Sequence, residues 1–316
     1  MMVSRRLLAV AMVLAGATAF AQHQHHMVTS QASLSLTQDA AKQEIVARLG
    51  PLNLPAHTDH HALPQPAPQM LTIPFDGWIT AYHPSLVDDA GQPLPGRMLH
   101  HVAFWNTRRS DFLCPNKEEH IFGAGGEMND WPALPGFGYR VHKGDQIRVT
   151  TMFHNPTDES YPSAWLVVRM EYQPAPANLK SVYPAWFDVK KCGDSSFPVQ
   201  SGGMSLNASI PLNFSGRLLG VGGHMHDYGE QLVLSDTTRG KEIANLHSTL
   251  DEQGRIQHMP IAVFIDRGGF PLKKGDEVAV QAKYASPREP NAEGMAIVVG
   301  YFLPDNDADM QSLARK

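Results

Sequence analysis

Arg217-Leu218-Leu219-Gly220-Val221, followed by Gly222-Gly223-His224-Met225-His226-Asp227-Tyr228-Gly229 and then Gln231-Leu232-Val233-Leu234, reads as two β-like runs joined by a glycine-rich segment. A strand places residues i and i+2 on one face. His224 and His226 therefore aim two imidazoles at one point, which is half of a metal site. The competing reading is two surface histidines beside a glycine turn, and the rest of the chain decides between them.

Outward from that stretch the same texture continues. From Met70 onward, short apolar or alternating runs are broken by Gly, Pro and Asp, an all-β pattern. Strand regions are expected at Leu71 to Tyr82, Met98 to Trp105, Gly138 to His142, Gln146 to His154 and Trp165 to Tyr172. Cys114 to Pro135 shows no clear period and is expected as a long loop. Gln173-Pro174-Ala175-Pro176-Ala177 is the natural linker. Lys143-Gly144-Asp145 and Lys274-Gly275-Asp276 lie 131 positions apart (274 minus 143). At that offset, without a gap, Phe153 falls on Tyr284, Pro156 on Pro287, and Leu166-Val167-Val168 on Ile297-Val298-Val299. A duplicated β unit of this size predicts two tandem jelly-roll-like β-sandwich domains, residues 70–175 and 176–304. Residues 305–316 are expected as a frayed polar tail. Residues 22–69 read as an irregular arm rich in His and Pro. Within it, Thr37 caps a short helix through Ala47, ended by Gly50-Pro51.

The first 21 residues have the form of a signal peptide. Arg5 and Arg6 precede the apolar run Leu7 to Ala17, and Ala19-Phe20-Ala21 fits a cleavage site. The run is too short to span a bilayer, and no later segment qualifies. A periplasmic or secreted protein is expected, through a general secretory or a twin-arginine route. In that oxidising setting Cys114 and Cys192, the two cysteines of the chain, can form one bridge. The formal charge of -5 gives no basic excess, so nucleic acid is not an expected partner. Nothing in the chain fixes the oligomeric state.

Sixteen histidines are many for 316 residues. His23, His25, His26, His57, His60 and His61 fall in the arm, a tract able to scavenge metal or simply to be solvated. Two other groups stand in the β region. His100, His101 and His154 form the first. Neighbours on a regular strand point to opposite faces, so His100 and His101 share a metal if a β-bulge re-aims one of them or if their ring nitrogens are chosen to suit; the competing reading has one buried, the other exposed, and His154 a turn histidine. His224, His226 and Met295 form the second. A thioether beside imidazoles suits Cu(I), whereas zinc more usually recruits Cys, His or carboxylate. The H-x-H-x-D-H pattern of zinc hydrolases fails here, because Asp227 follows His226 directly and no histidine comes next. Neither cysteine has a near histidine, against a blue-copper site.

In order, the chain carries His100-His101, Gly136-Phe137-Gly138-Tyr139-Arg140-Val141, Met152-Phe153-His154, His224-Met225-His226, Gly275-Asp276 and Glu293-Gly294-Met295. This set resembles the copper type II, ascorbate-dependent monooxygenases, the group of peptidylglycine α-hydroxylating monooxygenase and dopamine β-monooxygenase. The resemblance covers roughly Met70 to Leu303. It implies two β-sandwich domains facing each other across a solvent-filled cleft, with one copper on each. It implies that His100, His101 and His154 hold an electron-storing copper. His224, His226 and Met295 then hold the copper that binds dioxygen and meets a small-molecule substrate. Ascorbate or a similar reductant supplies the electrons. Where the peptide-hydroxylating enzyme anchors a substrate carboxylate with Arg, Asn and Tyr, this chain has Gly222, Ile297 and Val299. The resemblance therefore implies a less polar pocket and a substrate other than a peptidylglycine. The rival reading from another class is a non-catalytic copper-binding, buffering or delivery protein on the same scaffold.

Overall fold

A computed structural model describes residues 31–127, 130–290 and 292–315. The expected signal peptide and His23, His25 and His26 lie outside the described residues.

The first half contains β1 (Ser33–Asp39), β2 (Glu44–Leu54), β3 (Gln69–Thr72), β4 (Gly77–Val87) and β5 (Leu99–Ser110). It continues with β6 (Glu118–Gly125), β7 (Phe137–Val141), β8 (Gln146–Phe153), β9 (Tyr161–Pro174) and β10 (Lys180–Ser181). The second half opens with β11 (Tyr183–Asp188), β12 (Phe197–Pro198), β13 (Met204–Pro211), β14 (Gly216–Met225), β15 (Gly229–Asp236) and β16 (Lys241–His247). The short strands β17 (Thr249–Leu250), β18 (Ile256–His258), β19 (Ile261–Val263) and β20 (Phe270–Leu272) follow. β21 (Glu277–Tyr284), β22 (Glu293–Gly294) and β23 (Ala296–Pro304) precede one helix, α1 (Asp307–Gln311).

The all-β expectation holds, and the duplicated pattern appears in the sheet orders. In the first half the sheets run β1-β2-β9-β4-β7-β10 and β3-β8-β5-β6. In the second they run β11-β23-β14-β19, with β20 also on β14, and β13-β21-β15-β16. β8 and β21, displaced by the offset seen in the sequence, hold the same place in their sheets. Each follows a Lys-Gly-Asp turn whose glycine has φ near +90° (Gly144, 91°; Gly275, 90°), which favours glycine. Side chains from facing sheets fill the interior. Tyr82 of β4 stacks on Phe122 of β6 at 4.5 Å. A Cβ on Gly223 of β14 would meet Leu232 of β15 at 3.0 Å.

Three local expectations change. The helix from Thr37 through Ala47 is absent, because these residues form β1 and β2, the latter running on through Gly50-Pro51. Ile45, Ala47 and Leu49 are buried alternately with half-buried neighbours, a period of two rather than 3.6. The arm therefore contributes two strands to the six-stranded sheet. Inside the expected loop from Cys114 to Pro135, Glu118–Gly125 forms β6 at the edge of a sheet. The tail does not fray at its start: α1 buries Met310 completely, and Arg109 donates to the Met310 carbonyl at 3.0 Å. Cys114 and Cys192 are bonded, joining the loop after β5 to the loop after β11.

Candidate metal centre

The histidines meet where the two halves touch. On β5 the ladder with β8 slips between Leu99 and His101, leaving His100 as the extra residue of a bulge. The slip turns the two neighbouring side chains toward each other, and His100 Nδ1 lies 3.1 Å from His101 Nδ1. Two imidazole nitrogens on one ion at about 2.0–2.1 Å stand roughly 3.3 Å apart in a tetrahedral arrangement, so the spacing suits a shared metal. His154, just past the end of β8, lies with its ring 5.4 Å from that of His100. Its Nε2 donates to the Arg97 carbonyl at 2.6 Å, which leaves Nδ1 for another partner.

His224 lies near the end of β14, and His226 follows in the turn. Their rings are 5.5 Å apart. Glu127, arriving from the first half, accepts from His224 Nδ1 at 2.7 Å and leaves Nε2 free. A carboxylate on the far nitrogen of a ligand imidazole fixes its tautomer and orientation. His226 Nδ1 donates to the Glu293 carbonyl at 3.2 Å. Its Nε2 is buried without a hydrogen-bond partner. Leaving such a nitrogen unsatisfied costs about 1–3 kcal/mol, which a bound cation would offset.

Met295 pairs by backbone with the Tyr284 hydroxyl, accepting at 2.5 Å and donating at 3.1 Å. Its side chain lines a cavity with His101 and His224. The Asp227 carboxylate accepts from the Ile256 backbone at 2.9 Å and pins the turn.

The two groups of three adjoin rather than facing each other across open solvent. The His100 and His226 rings are 4.5 Å apart. His100, His154, His224 and His226 line one cavity, of about 440 Å³. His101, His224 and Met295 line another, of about 220 Å³. Gly222, Ile297 and Val299 line this second cavity too, on the sheet face that carries His224.

Residues outside the expected set join the cluster. His60, from the arm, stacks 4.6 Å from His100. The ligand atoms of His60, His100 and Glu293 all lie within 4.8 Å of one another, as do those of Asp59, His60 and His61. The histidine-rich tract had marked His60, but its contact with residue 293 spans most of the chain and has no local signal. Glu127 carried no mark at all.

Burial sets the electrostatics. It drives the His100 imidazole far below its ordinary value, helped by the neighbouring His226 and His101. Burial and His224 push His101 down to about 4, and the same two causes push His226 down to about 3. His154 is lowered, again chiefly by burial. These rings are neutral at pH 7 and offer lone pairs. At His224 burial works downward, but the Glu127 charge and hydrogen bond outweigh it and raise the imidazole. The Glu293 carboxylate raises His60, and the His60 hydrogen bond in turn lowers Glu293 to about 2.

No family model matches the chain. Among solved structures, isomalto-dextranase from Arthrobacter globiformis T6 in complex with panose aligns at 9% identity and TM-score 0.20, covering 82% of this chain and 35% of that one. The VP2 subviral particle of infectious bursal disease virus aligns at 11% identity and TM-score 0.22, covering 90% of this chain and 72% of that one. Scores this low carry no argument about the fold. The chain is 26% identical over 204 residues to "Probable copper-dependent oxygenase clz3" of Cochliobolus lunatus, a match taking in 60% of this chain and 64% of that protein. It is 26% identical over 205 residues to "Probable copper-dependent oxygenase M1" of Phoma sp. (strain ATCC 20986 / MF5453), 60% of this chain and 51% of that protein. The chain thus spans between half and two thirds of the curated relatives it matches, and what it is similar to there are proteins named for copper-dependent oxygenation.

Proposed function

We propose that this protein is an exported dicopper monooxygenase. It inserts oxygen into a C–H bond of a small, largely apolar substrate, using dioxygen and an ascorbate-like reductant. The observation that carries the reading is the buried, unpartnered His226 Nε2 beside His100, in a cluster of neutral imidazoles next to an apolar cavity. His100, His101 and His154 would hold the electron-storing copper, and His224, His226 and Met295 the copper at which substrate is met. The donor set fits, since imidazole and thioether suit copper and His226 Nε2 is buried with no partner. Copper, when bound, supplies one-electron redox chemistry and the means of using dioxygen. The chain's own residues position and shelter it. Glu127 holds His224 by its outer nitrogen, and the Glu293 carbonyl holds His226. Gly222, Ile297 and Val299 give the adjoining cavity an apolar wall with no carboxylate anchor, which supports a substrate other than a peptidylglycine.

Copper analysis and ascorbate-driven dioxygen uptake test this. Two coppers per chain and uptake coupled to a hydroxylated product are expected; one copper or none in folded protein sinks the two-site claim. Met295→Ala should keep the first copper and abolish hydroxylation, and unaffected turnover removes Met295 from its role. The Asp59, His60 and His61 group, on an accessible loop, favours a second reading as a copper-buffering or delivery protein. Copper bound and passed on without product formation decides for that reading. Export is checked by the N-terminus of the mature protein, expected at Gln22.

A further inference from the structure

The cavity beside His224 and Met295 contains a histidine that the metal centre does not use. His120 of β6 is clamped between two indoles. Its ring stacks on Trp105 at 4.1 Å and 19°, and on Trp186 at 3.5 Å and 8°. Trp105 and His120 belong to the first half and Trp186 to the second, so the sandwich of rings crosses the junction. Both indole N–H groups are already satisfied, Trp105 donating to Thr150 Oγ1 at 3.1 Å and Trp186 to the His120 carbonyl at 2.6 Å. His120 Nε2 is buried and has no partner. It lies over Gly123, where an added Cβ would stand 3.1 Å from it, so a glycine keeps the space beside this nitrogen open.

Burial keeps the ring neutral, while the Phe122 backbone works the other way and favours a proton on it. With Nε2 unpartnered, the proton that the Phe122 backbone favours belongs on Nδ1. A neutral imidazole has one donor and one acceptor nitrogen, so Nε2 presents a lone pair. The charged groups on the cavity wall are mostly engaged elsewhere. Asp111 accepts from the Leu113 and Cys114 backbone, Glu118 pairs with Arg148, Lys117 donates to the Gly193 carbonyl, and Asp188 accepts from Ser195. The unpartnered Tyr301 hydroxyl has another explanation. With the Tyr82 hydroxyl, also unpartnered, it lines a separate space of about 10 Å³, near the size that holds one water.

We propose that this cavity takes a compact, largely apolar molecule carrying one hydroxyl group, and that His120 Nε2 accepts the hydrogen bond from that hydroxyl. A cavity of about 150 Å³ holds benzene, so the 220 Å³ here admits a ring with a substituent. His120 is a specificity-determining residue, held rigid by the two indoles. The inference deepens the oxygenase reading, on which the word substrate rests; the binding is measured without turnover.

Phenol and toluene, nearly equal in shape, are titrated into the full-length protein as purified, with no reductant. Quenching of tryptophan fluorescence, excited at 295 nm, reports occupancy. Phenol should bind about tenfold more tightly than toluene, the size of one neutral hydrogen bond made in place of an unmade one. His120→Phe keeps a ring in the stack and removes the acceptor. It should weaken phenol about tenfold and leave toluene unchanged, while His120→Gln, which keeps an acceptor, should retain the preference. Equal binding of the two probes to the natural protein, a preference surviving in His120→Phe, or binding of neither probe overturns the proposal. Should His120→Phe fail to fold, loss of the preference in folded His120→Gln overturns it and retention supports it. A phenol preference without ascorbate-driven turnover leaves this cavity and removes the oxygenase reading; turnover without the preference does the reverse.

Discussion

Two consecutive histidines on a regular strand point apart, and the slipped register at His100 brings His100 Nδ1 within 3.1 Å of His101 Nδ1. The six expected residues rest on their types and order in the sequence, and His100, His154, His224 and His226 among them line one cavity. His60, Glu127 and His120 act through contacts between distant segments, and residue type alone does not disclose such contacts. Glu127 is the clearest case, since its role depends on the first half reaching His224 in the second. Glu127→Gln, which keeps the shape and removes the charge, should lower copper affinity about 10- to 100-fold in a chelator competition; unchanged affinity removes the orienting role. The depressed histidines also set an acid limit. His101 has a value near 4 when folded against 6.5 in the unfolded chain, so between those values the unfolded state binds more protons. Stability present at pH 7 is therefore lost as pH falls through that window, by on the order of 3 kcal/mol at pH 4 from His101 alone. The melting temperature of metal-free protein, followed from pH 7 to pH 4, should fall accordingly. A flat profile contradicts the neutral cluster.

Among the elements, the strands built on alternation or on repeated turns were legible, and those with mixed signals were not. Thr37 and the following Gln, Ala, Ala, Lys and Gln read as a helix, yet the buried alternation of Ile45, Ala47 and Leu49 against β9 decides the outcome. Pairing in a sheet overrode local propensity there. β6 was hidden because Glu119 and His120 interrupt its apolar pattern, and both have uses that composition does not show. Glu119 is buried with Arg109 at 2.6 Å and accepts from Tyr139 at 2.5 Å. Ile45 is wholly buried in a strand the sequence assigned to an arm. Ile45→Ala should cost about 2–5 kcal/mol in denaturant unfolding, whereas an irregular arm would tolerate the change with no shift in midpoint.

At the scale of the molecule, the Lys-Gly-Asp offset carries β8 onto β21, and the two four-stranded sheets, β3-β8-β5-β6 and β13-β21-β15-β16, run in corresponding orders. The offset could not foretell how the halves dock, because side chains without a counterpart signal in the pattern, such as His120 of β6 stacked on Trp186 of β11, make the junction. The disulfide fastens the loop after β5 to the loop after β11, across 78 residues of sequence separation. Replacing both Cys114 and Cys192 with Ser should lower stability by about 4 kcal/mol in the chain-entropy account, read as a lower unfolding midpoint. The C-terminal segment fastens the halves again, Arg315 donating to the Arg108 carbonyl at 2.7 Å while Tyr183 of the second half donates to Asp307 at 2.7 Å. A chain clasped at two places does not swing apart like a book. Cys114 itself stands in the wall of the smaller cavity, so the speed of entry, more than the depth of the pocket, is what cutting the sulfur clasp should change.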